Sequence, residues 1–321
     1  MKRFFIGVIF LFIFSGFLFG KTYKIDLGIV TTPNTWHYKA SMKFKEIVEK
    51  ESNGEIKVVI HHSGSVGNET SILQQIQLGA LQMGVITAGP IDKFVPAIKA
   101  VAFPFIFKDF KQVDEILDGP IGKAILKEFQ KAGFIGYHFL ENGFRNLTNS
   151  VRPVHTVDDV KGLKIRVMNS QLHIAIWKAL GANPTPMPWP IYTQLAQHVI
   201  DGQENPLAVI YQYKLYEVQK YLSLTRHVYS ALVFVGNKKF YDSLPAKYQK
   251  LMFKATREAS IYQRKLNREK VAWFLQELKK KGMIIDEHPD IDSFKKKVEP
   301  LKAQFSGPAK KYLDMILEAT K

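Results

Sequence analysis

Arg166 is the residue whose type and setting point most directly to chemistry. It stands near the end of residues 163–167, where apolar and basic side chains alternate with the period of a strand that has one buried face. Arg166 therefore points away from the core at the end of that strand. A planar guanidinium can bind both oxygens of a carboxylate and keeps its proton at physiological pH. An arginine in this place could also form an ion pair with a neighbouring acid, so two interpretations are open at this point.

The residues after Arg166 predict a βαβαβ unit with its functional side chains at one edge of a sheet. A helical pattern over residues 169–181 ends at a glycine, and the proline-rich run 183–190 holds an extended segment. A second helix, opened by Pro190, is predicted to end at Gly202. Ligands bind at such an edge in open α/β sheets. The residues placed there are Arg166, Trp189 and Asn205.

No catalytic or cofactor motif is present in the chain. The 321 residues contain no GxSxG, HExxH or P-loop sequence. Cysteine is absent, which excludes disulfides, thiolate metal sites and a cysteine nucleophile. The side chains of His61 and His62 would face opposite sides of a strand, which argues against a metal site there. We therefore expect a binding protein without metal or cofactor, and not an enzyme.

The N-terminus and the charge balance indicate where the protein works. Residues 1–20 combine Lys2 and Arg3 with an apolar run that is short for a membrane span, which is typical of a secretory signal peptide; an uncleaved anchor helix is the alternative. Without a cysteine to be lipidated, the exported protein would be retained only by an outer membrane, which predicts the periplasm. The formal net charge is +16, yet no arginine occurs between Arg3 and Arg145. We expect no nucleic-acid partner, and a field that attracts anions.

The same order of elements occurs twice along the chain. Strand-like alternation at residues 23–30, 56–60 and 83–86 is separated by helical periodicity. With the unit around Arg166, this predicts two α/β lobes that face each other across a cleft, with crossings near Gly143 and Tyr229. A helical pattern of about 50 Å, from Leu244 to Gly282, must span both lobes. We assign residues 1–20 to the signal peptide, 21–143 and 231–270 to lobe I, and 144–230 and 271–321 to lobe II, and we expect residues 291–319 to pack on lobe II.

Three segments carry a resemblance to a known family. GLKIRVMNS (162–170), LGANPTPMPWPIYTQL (180–195) and DGQENP (201–206), in this order and spacing, resemble the signature of the DctP-type solute-binding proteins of TRAP transporters. The similarity extends from about residue 24 to the C-terminal helices. It implies a two-lobe, periplasmic-binding-protein-like α/β fold with a long helix across both lobes. It also implies capture of a small organic acid and transient delivery to separate membrane subunits, and we expect a monomer.

The resemblance also assigns roles to individual residues. In that family the arginine at the position of Arg166 forms the main salt bridge to the carboxylate of the substrate. Asn205 would contact the same end of the ligand, and Trp189 would pack on it. The remaining expected substrate-binding residues are Arg145, near a second family arginine; His227, at a ligand-proximal position; Glu69, where some relatives place a carboxylate; and Thr87, in a loop at a strand end.

The loops of the first lobe bear on which acid is bound. The loops predicted to face the cleft, residues 31–35, 64–69 and 87–92, contain no lysine or arginine. A second carboxylate would lie beside Glu69 without a partner, at a cost of several kcal/mol, unless His37 or Lys93 turned inward. We therefore expect a monocarboxylate with hydroxyl, amino or keto groups rather than a C4-dicarboxylate. A ligand-binding subunit for a periplasmic sensor kinase and a secreted α/β enzyme remain alternatives.

Overall fold

A single mixed sheet organises the chain in a computed structural model that describes residues 22–321. The predicted signal peptide lies outside the described residues. The strands are β1 (Tyr23–Gly28), β2 (Ile56–His61), β3 (Met83–Thr87), β4 (Phe134–Asn149), β5 (Lys164–Val167), β6 (Asn183–Pro186), β7 (Gly202–Asn205), β8 (Tyr221–Asn237) and β9 (Ile284–Asp286). Their order in the sheet is β2-β1-β3-β8-β4-β7-β5-β6, and β9 pairs with β8.

Helices cover the sheet on both faces. They are α1 (Trp36–Glu51), α2 (Glu69–Leu78), α3 (Ala88–Ile91), α4 (Phe110–Leu117), α5 (Pro120–Glu128), α6 (Gln171–Ala179), α7 (Tyr192–Ala196), α8 (Leu207–Gln212), α9 (Lys238–Ser243), α10 (Ala246–Lys280), α11 (Ile291–Val298) and α12 (Gly307–Ala319). Within residues 22–321, no helix is long and apolar enough to cross a membrane.

The two predicted βαβαβ units are confirmed and share one topology. In the first unit (residues 23–87), β1 is parallel to β2 and β3; in the second (residues 164–205), β5 is parallel to β6 and β7. Local chemistry fixes the helix ends: the Thr35 side chain caps α1, and Gly79 ends α2 in the left-handed conformation. Residues at or just past the strand ends of both units, among them Val30 and Met168, line one cavity, so the carboxyl ends of the strands in both units face one cleft.

Two long antiparallel strands join the units. β4 has 16 residues and β8 has 17, and their pairing runs from Phe134 opposite Asn237 to Asn149 opposite Tyr221. The apolar pattern of the sequence indicates a strand only over residues 133–140 and 231–235. The extra length was missed because the buried second half of β4 is rich in polar side chains. The register shifts next to Gly143, which has φ +119°. The chain therefore crosses between the units through these paired strands.

The long helix is confirmed. α10 has 35 residues, about 50 Å at 1.5 Å per residue, and packs on α1 of the first unit, on β4 and on α8 after the second unit. It therefore bridges both lobes of a periplasmic-binding-protein-like fold.

Two local expectations were wrong. The helix predicted to run from Pro190 to Gly202 is only α7, because His198 adopts a left-handed conformation and Gly202 already belongs to β7, which pairs with β4 and β5. The C-terminal residues do not all pack beside the second unit. α11 contacts α6, but α12 packs on residues 96–102 and α5, where Tyr312 donates to Glu128 at 3.1 Å. Amphipathic periodicity shows that a helix has a buried face but not which surface covers it.

Candidate ligand-binding site

A cavity lies between the two units where their strands end. It is lined by Val30, Thr31, His37, Glu69, Thr87, Asn142, Arg145, Arg166, Met168, Trp189, Asn205, Val209 and Tyr213. Six of the seven residues singled out in the sequence are among them; His227 is not. A larger groove of about 430 Å³ lies between α5 and α10, but none of the seven lines it. The strand-edge cavity is therefore the candidate site.

Arg166 is buried without an acidic partner. It is 4% exposed, and no carboxylate of residues 22–321 lies within 4.0 Å of its nitrogens. Nε and Nη2 donate to the carbonyl of Met187 at 2.9 and 2.6 Å. The guanidinium carbon lies 5.8 Å from the centre of the Trp189 ring. Burial, reinforced by the charge of Arg145, lowers the pKa of Arg166 to about 10. The ion-pair alternative is thus not observed, and the outer edge formed by Nη1 and Nη2 is free to bind an anion end-on.

Arg145, by contrast, is already balanced by a carboxylate. Its Nη2 donates to Glu204 Oε1 at 2.8 Å, its Nε donates to Glu204 Oε2, and its Nη1 donates to Ser230 Oγ at 3.2 Å. Burial alone would raise the pKa of Glu204, but the Arg145 charge, the hydrogen bond from His227 and the nearby ring of His173 hold that pKa well below its usual range. Four of its five N–H donors are used within the protein, so Arg145 can offer the cavity one N–H at most and adds no net charge.

His227 lies behind this pair rather than in the cavity. Its Nε2 is 3.1 Å from Glu204 Oε2, and its Nδ1 is 2.8 Å from the hydroxyl of Thr225. We expect it to influence a ligand only through Glu204 and Arg145. The sequence did not lead to a role for Glu204. The only local signal for it was its position next to Asn205 in the segment DGQENP.

The wall supplied by the first unit carries no cation. Glu69 Oε1 accepts from the backbone N–H of Thr87 at 2.7 Å, and burial raises the pKa of Glu69 despite that bond. His37 does turn into the cavity, but burial lowers its pKa to about 4, so it is neutral at pH 7. Lys93 is exposed and does not line the cavity. This wall can thus offer polar contacts but no positive charge.

Contacts across the cleft show a closed arrangement. On one flank, the hydroxyl of Ser170, at the start of α6, donates to Asp92 Oδ2 at 2.6 Å. On the other, the backbone N–H of Thr32 donates to the hydroxyl of Tyr213 at 3.1 Å. The cavity enclosed between these contacts is small, about 50 Å³. A bound molecule would therefore be surrounded by both units.

Comparisons with known proteins agree with this geometry. The model of the bacterial extracellular solute-binding protein family 7, DctP, matches residues 27–307. The 2,3-diketo-L-gulonate-binding periplasmic protein YiaO of Escherichia coli K12 is 34% identical over 261 residues, which are 81% of this chain and 80% of YiaO. A TRAP periplasmic solute-binding protein from Polaromonas sp. JS666, solved with D-erythronate, is 35% identical with a TM-score of 0.88, covering 93% of this chain and 98% of that one.

A more distant structure carries a different ligand. The TRAP periplasmic solute-binding protein of Sulfurospirillum deleyianum, solved with succinate, is 26% identical with a TM-score of 0.86, covering 93% of this chain and 99% of that one. These relatives are periplasmic binding proteins rather than enzymes. The chain belongs to the DctP-type family of periplasmic solute-binding proteins that serve TRAP transporters.

Proposed function

We propose that this protein captures a small monocarboxylate bearing hydroxyl or keto groups and, as a monomer, delivers it transiently to the membrane subunits of a TRAP transporter. The observation that carries the proposal is the buried guanidinium of Arg166, which has a free donor edge and no acidic partner among residues 22–321. A carboxylate is the group that matches such an edge in both geometry and charge. Asn205 and Trp189 line the same part of the cavity and complete this end of the site.

The opposite wall favours one carboxylate over two. Because Glu204 balances Arg145, Arg166 is the cation left for the ligand. A second carboxylate would approach Glu69 and a neutral His37, where no positive charge compensates its loss of hydration. Hydroxyl or keto groups need only hydrogen bonds. The D-erythronate seen in the Polaromonas protein has this character, whereas the succinate of the Sulfurospirillum protein represents the alternative.

We also infer how the chain divides between the lobes. Residues 22–143 and 231–270 form lobe I, and residues 144–230 and 271–321 form lobe II, except that α12 packs on the lobe I helices. The boundaries fall within β4, after Gly143, and within β8, near Tyr229, where these paired strands pass from one unit to the other. Lobe motion would then be absorbed at these points and along α10.

The test compares two acids of equal length. D-erythronate and succinate both have four carbons, but only succinate has a second carboxylate. At a ligand concentration of 100 Kd, binding stabilises the protein by about 2.7 kcal/mol, so we expect D-erythronate to raise the melting temperature by several degrees and succinate to have no effect. The variant Glu69→Gln should narrow this difference, because it removes the negative charge that a second carboxylate would meet. A large shift with succinate and none with D-erythronate would overturn the proposed ligand class.

A further inference from the structure

His37 is buried in the cavity without a hydrogen-bond partner. It is 7% exposed, and neither ring nitrogen bonds to any residue described in the structure. His37 lines the cavity, so a molecule held there can bond to a ring nitrogen that has no partner in the described chain. Buried polar groups in folded proteins are almost always hydrogen-bonded. An imidazole that is nine-tenths buried, unpartnered and directed into a cavity therefore indicates a partner supplied from outside the chain.

Other histidines of the described chain show what a satisfied imidazole looks like here. His61 bonds to Asp26 at 2.8 Å, His138 to Thr256 at 3.0 Å, and His155 to Asp286 at 2.7 Å. Each of these side chains is more exposed than that of His37, yet each has a protein partner. His173 is also buried, and its Nδ1 has no hydrogen-bond partner, but that nitrogen lies 3.6 Å from Glu204 and does not line the cavity. His37 differs in that it lines the cavity, where a bound molecule can reach it.

The protonation state of His37 defines what it can recognise. His37 is the second residue of α1, where the positive end of the helix dipole disfavours an added positive charge. Burial acts in the same direction and lowers its pKa to about 4. A neutral imidazole has one N–H donor and one nitrogen acceptor. A hydroxyl group can both donate and accept, and a keto oxygen can accept, so either satisfies the imidazole without bringing in a charge. A second carboxylate could also accept the N–H, but a neutral His37 would leave its negative charge uncompensated.

From these observations we propose that His37 determines ligand specificity by forming a hydrogen bond with an uncharged oxygen, hydroxyl or keto, of the molecule whose carboxylate Arg166 holds. This proposal rests on the proposed function, because it places the ligand between the two units. Arg166 comes from β5 of the second unit and His37 from α1 of the first. One ligand that contacts both would hold the lobes together through its carboxylate and its neutral oxygen.

The test measures discrimination between a hydroxy acid and its unsubstituted analogue. Calorimetry would compare D-erythronate with butyrate, which has the same carbon chain and carboxylate but no hydroxyls. We expect His37→Leu to weaken D-erythronate binding about ten-fold or more and to leave butyrate binding little changed, so that the ratio of the two affinities falls. His37→Gln keeps a donor and an acceptor and should recover part of the lost affinity. His138→Leu is the matched control, because His138 is also a neutral histidine but does not line the cavity.

Each outcome decides a different point. If the wild type binds D-erythronate and His37→Leu binds it equally well, the role of His37 is overturned while the proposed function stands. If His37→Leu weakens D-erythronate and butyrate by the same factor, His37 only supports the structure, and the proposal fails. If the wild type binds succinate and not D-erythronate, the proposed ligand class and the role of His37 fall together.

Discussion

Replacing Arg166 by methionine should separate binding from stability. The variant keeps an unbranched side chain of similar length but removes the cation. Breaking a buried pair between the guanidinium and a ligand carboxylate costs about 2 to 5 kcal/mol, which is about thirty-fold to several thousand-fold in affinity. We expect this loss in calorimetric titrations with D-erythronate.

The ligand-free stability should change in a different way. Burial lowers the pKa of Arg166 to about 10, well below the ordinary value of a guanidinium, so at any pH below 10 the folded state holds this charge less favourably than the unfolded chain does. At 1.36 kcal/mol per pKa unit, that penalty is about 3 kcal/mol. Methionine removes the penalty but leaves the Met187 carbonyl without its donor, which costs about 1 to 3 kcal/mol. The free energy of unfolding of the ligand-free variant, measured in urea, should therefore be equal to or above that of the wild type.

Arg268 provides a matched control of opposite character. It forms ion pairs with Asp114 at 2.7 Å and with the fully buried Glu141 at 2.8 Å, and these pairs raise its pKa despite partial burial. Arg268→Met removes the cation that pairs with the buried carboxylate of Glu141, so the free energy of unfolding should fall by about 3 kcal/mol or more. If Arg166→Met destabilised the ligand-free protein as much as Arg268→Met, Arg166 would be a structural residue and the reasoning would be refuted.

The titration of two buried side chains and the motion of the lobes can each be tested. Asp92 is 2% exposed, accepts from Ser170 and has a second oxygen without a partner; burial raises its pKa, while the surrounding charges of Lys99, His173 and Lys93 lower it. Closure of the cleft should therefore become more favourable as the pH falls towards this raised pKa, and ligand affinity should rise with it. Asp92→Asn should remove this pH dependence. If the calorimetric affinities of both proteins varied equally with pH, Asp92 would have no role in closure. Burial lowers the pKa of His37 from 6.5 to about 4, so as the pH falls the unfolded chain binds this proton before the folded protein does. Lowering the pH from 7.5 to 5 should therefore reduce the free energy of unfolding, measured in urea, by about 2 kcal/mol in the wild type. The variant His37→Gln should not show this loss. Small-angle scattering should show a smaller radius of gyration with D-erythronate than without it, and identical radii would indicate a rigid receptor.

Much of the fold was predictable because it rests on local periodicity. The alternation of apolar residues identified both βαβαβ units, and the caps at Thr35 and Gly79 lie where such residues favour helix ends. The extent of α10 was also predictable, because the amphipathic pattern between Pro245 and Gly282 contains no further proline or glycine. The position of Arg166 at a strand end followed from the same period, which explains why the sequence led to the correct edge of the sheet.

The parts that were missed depend on partners distant in sequence. The second half of β4 contains Arg145, whose bonds reach Glu204 and Ser230, 59 and 85 residues away. A polar stretch of this kind is typical of a loop unless its side chains are satisfied inside the protein, and nothing local reveals that they are. The location of His227 behind Glu204 was hidden for the same reason. That His37 turns into the cavity could not be predicted either, because helical periodicity places it only near the start of α1.

The arrangement links lobe closure to the charge of the ligand. In the closed arrangement Arg166 is buried with no carboxylate of residues 22–321 within 4.0 Å, and one oxygen of Asp92 is buried without a hydrogen bond. Both features should oppose closure of the empty protein, since an uncompensated buried charge is unfavourable. A ligand carboxylate compensates Arg166, whereas an uncharged sugar would leave its charge unpaired and a dicarboxylate would add a second charge beside Glu69. Closure should therefore be most favourable with a ligand that places one negative charge at Arg166 and neutral oxygens at the opposite wall. The same electrostatic terms would then decide which ligand binds and whether the lobes close.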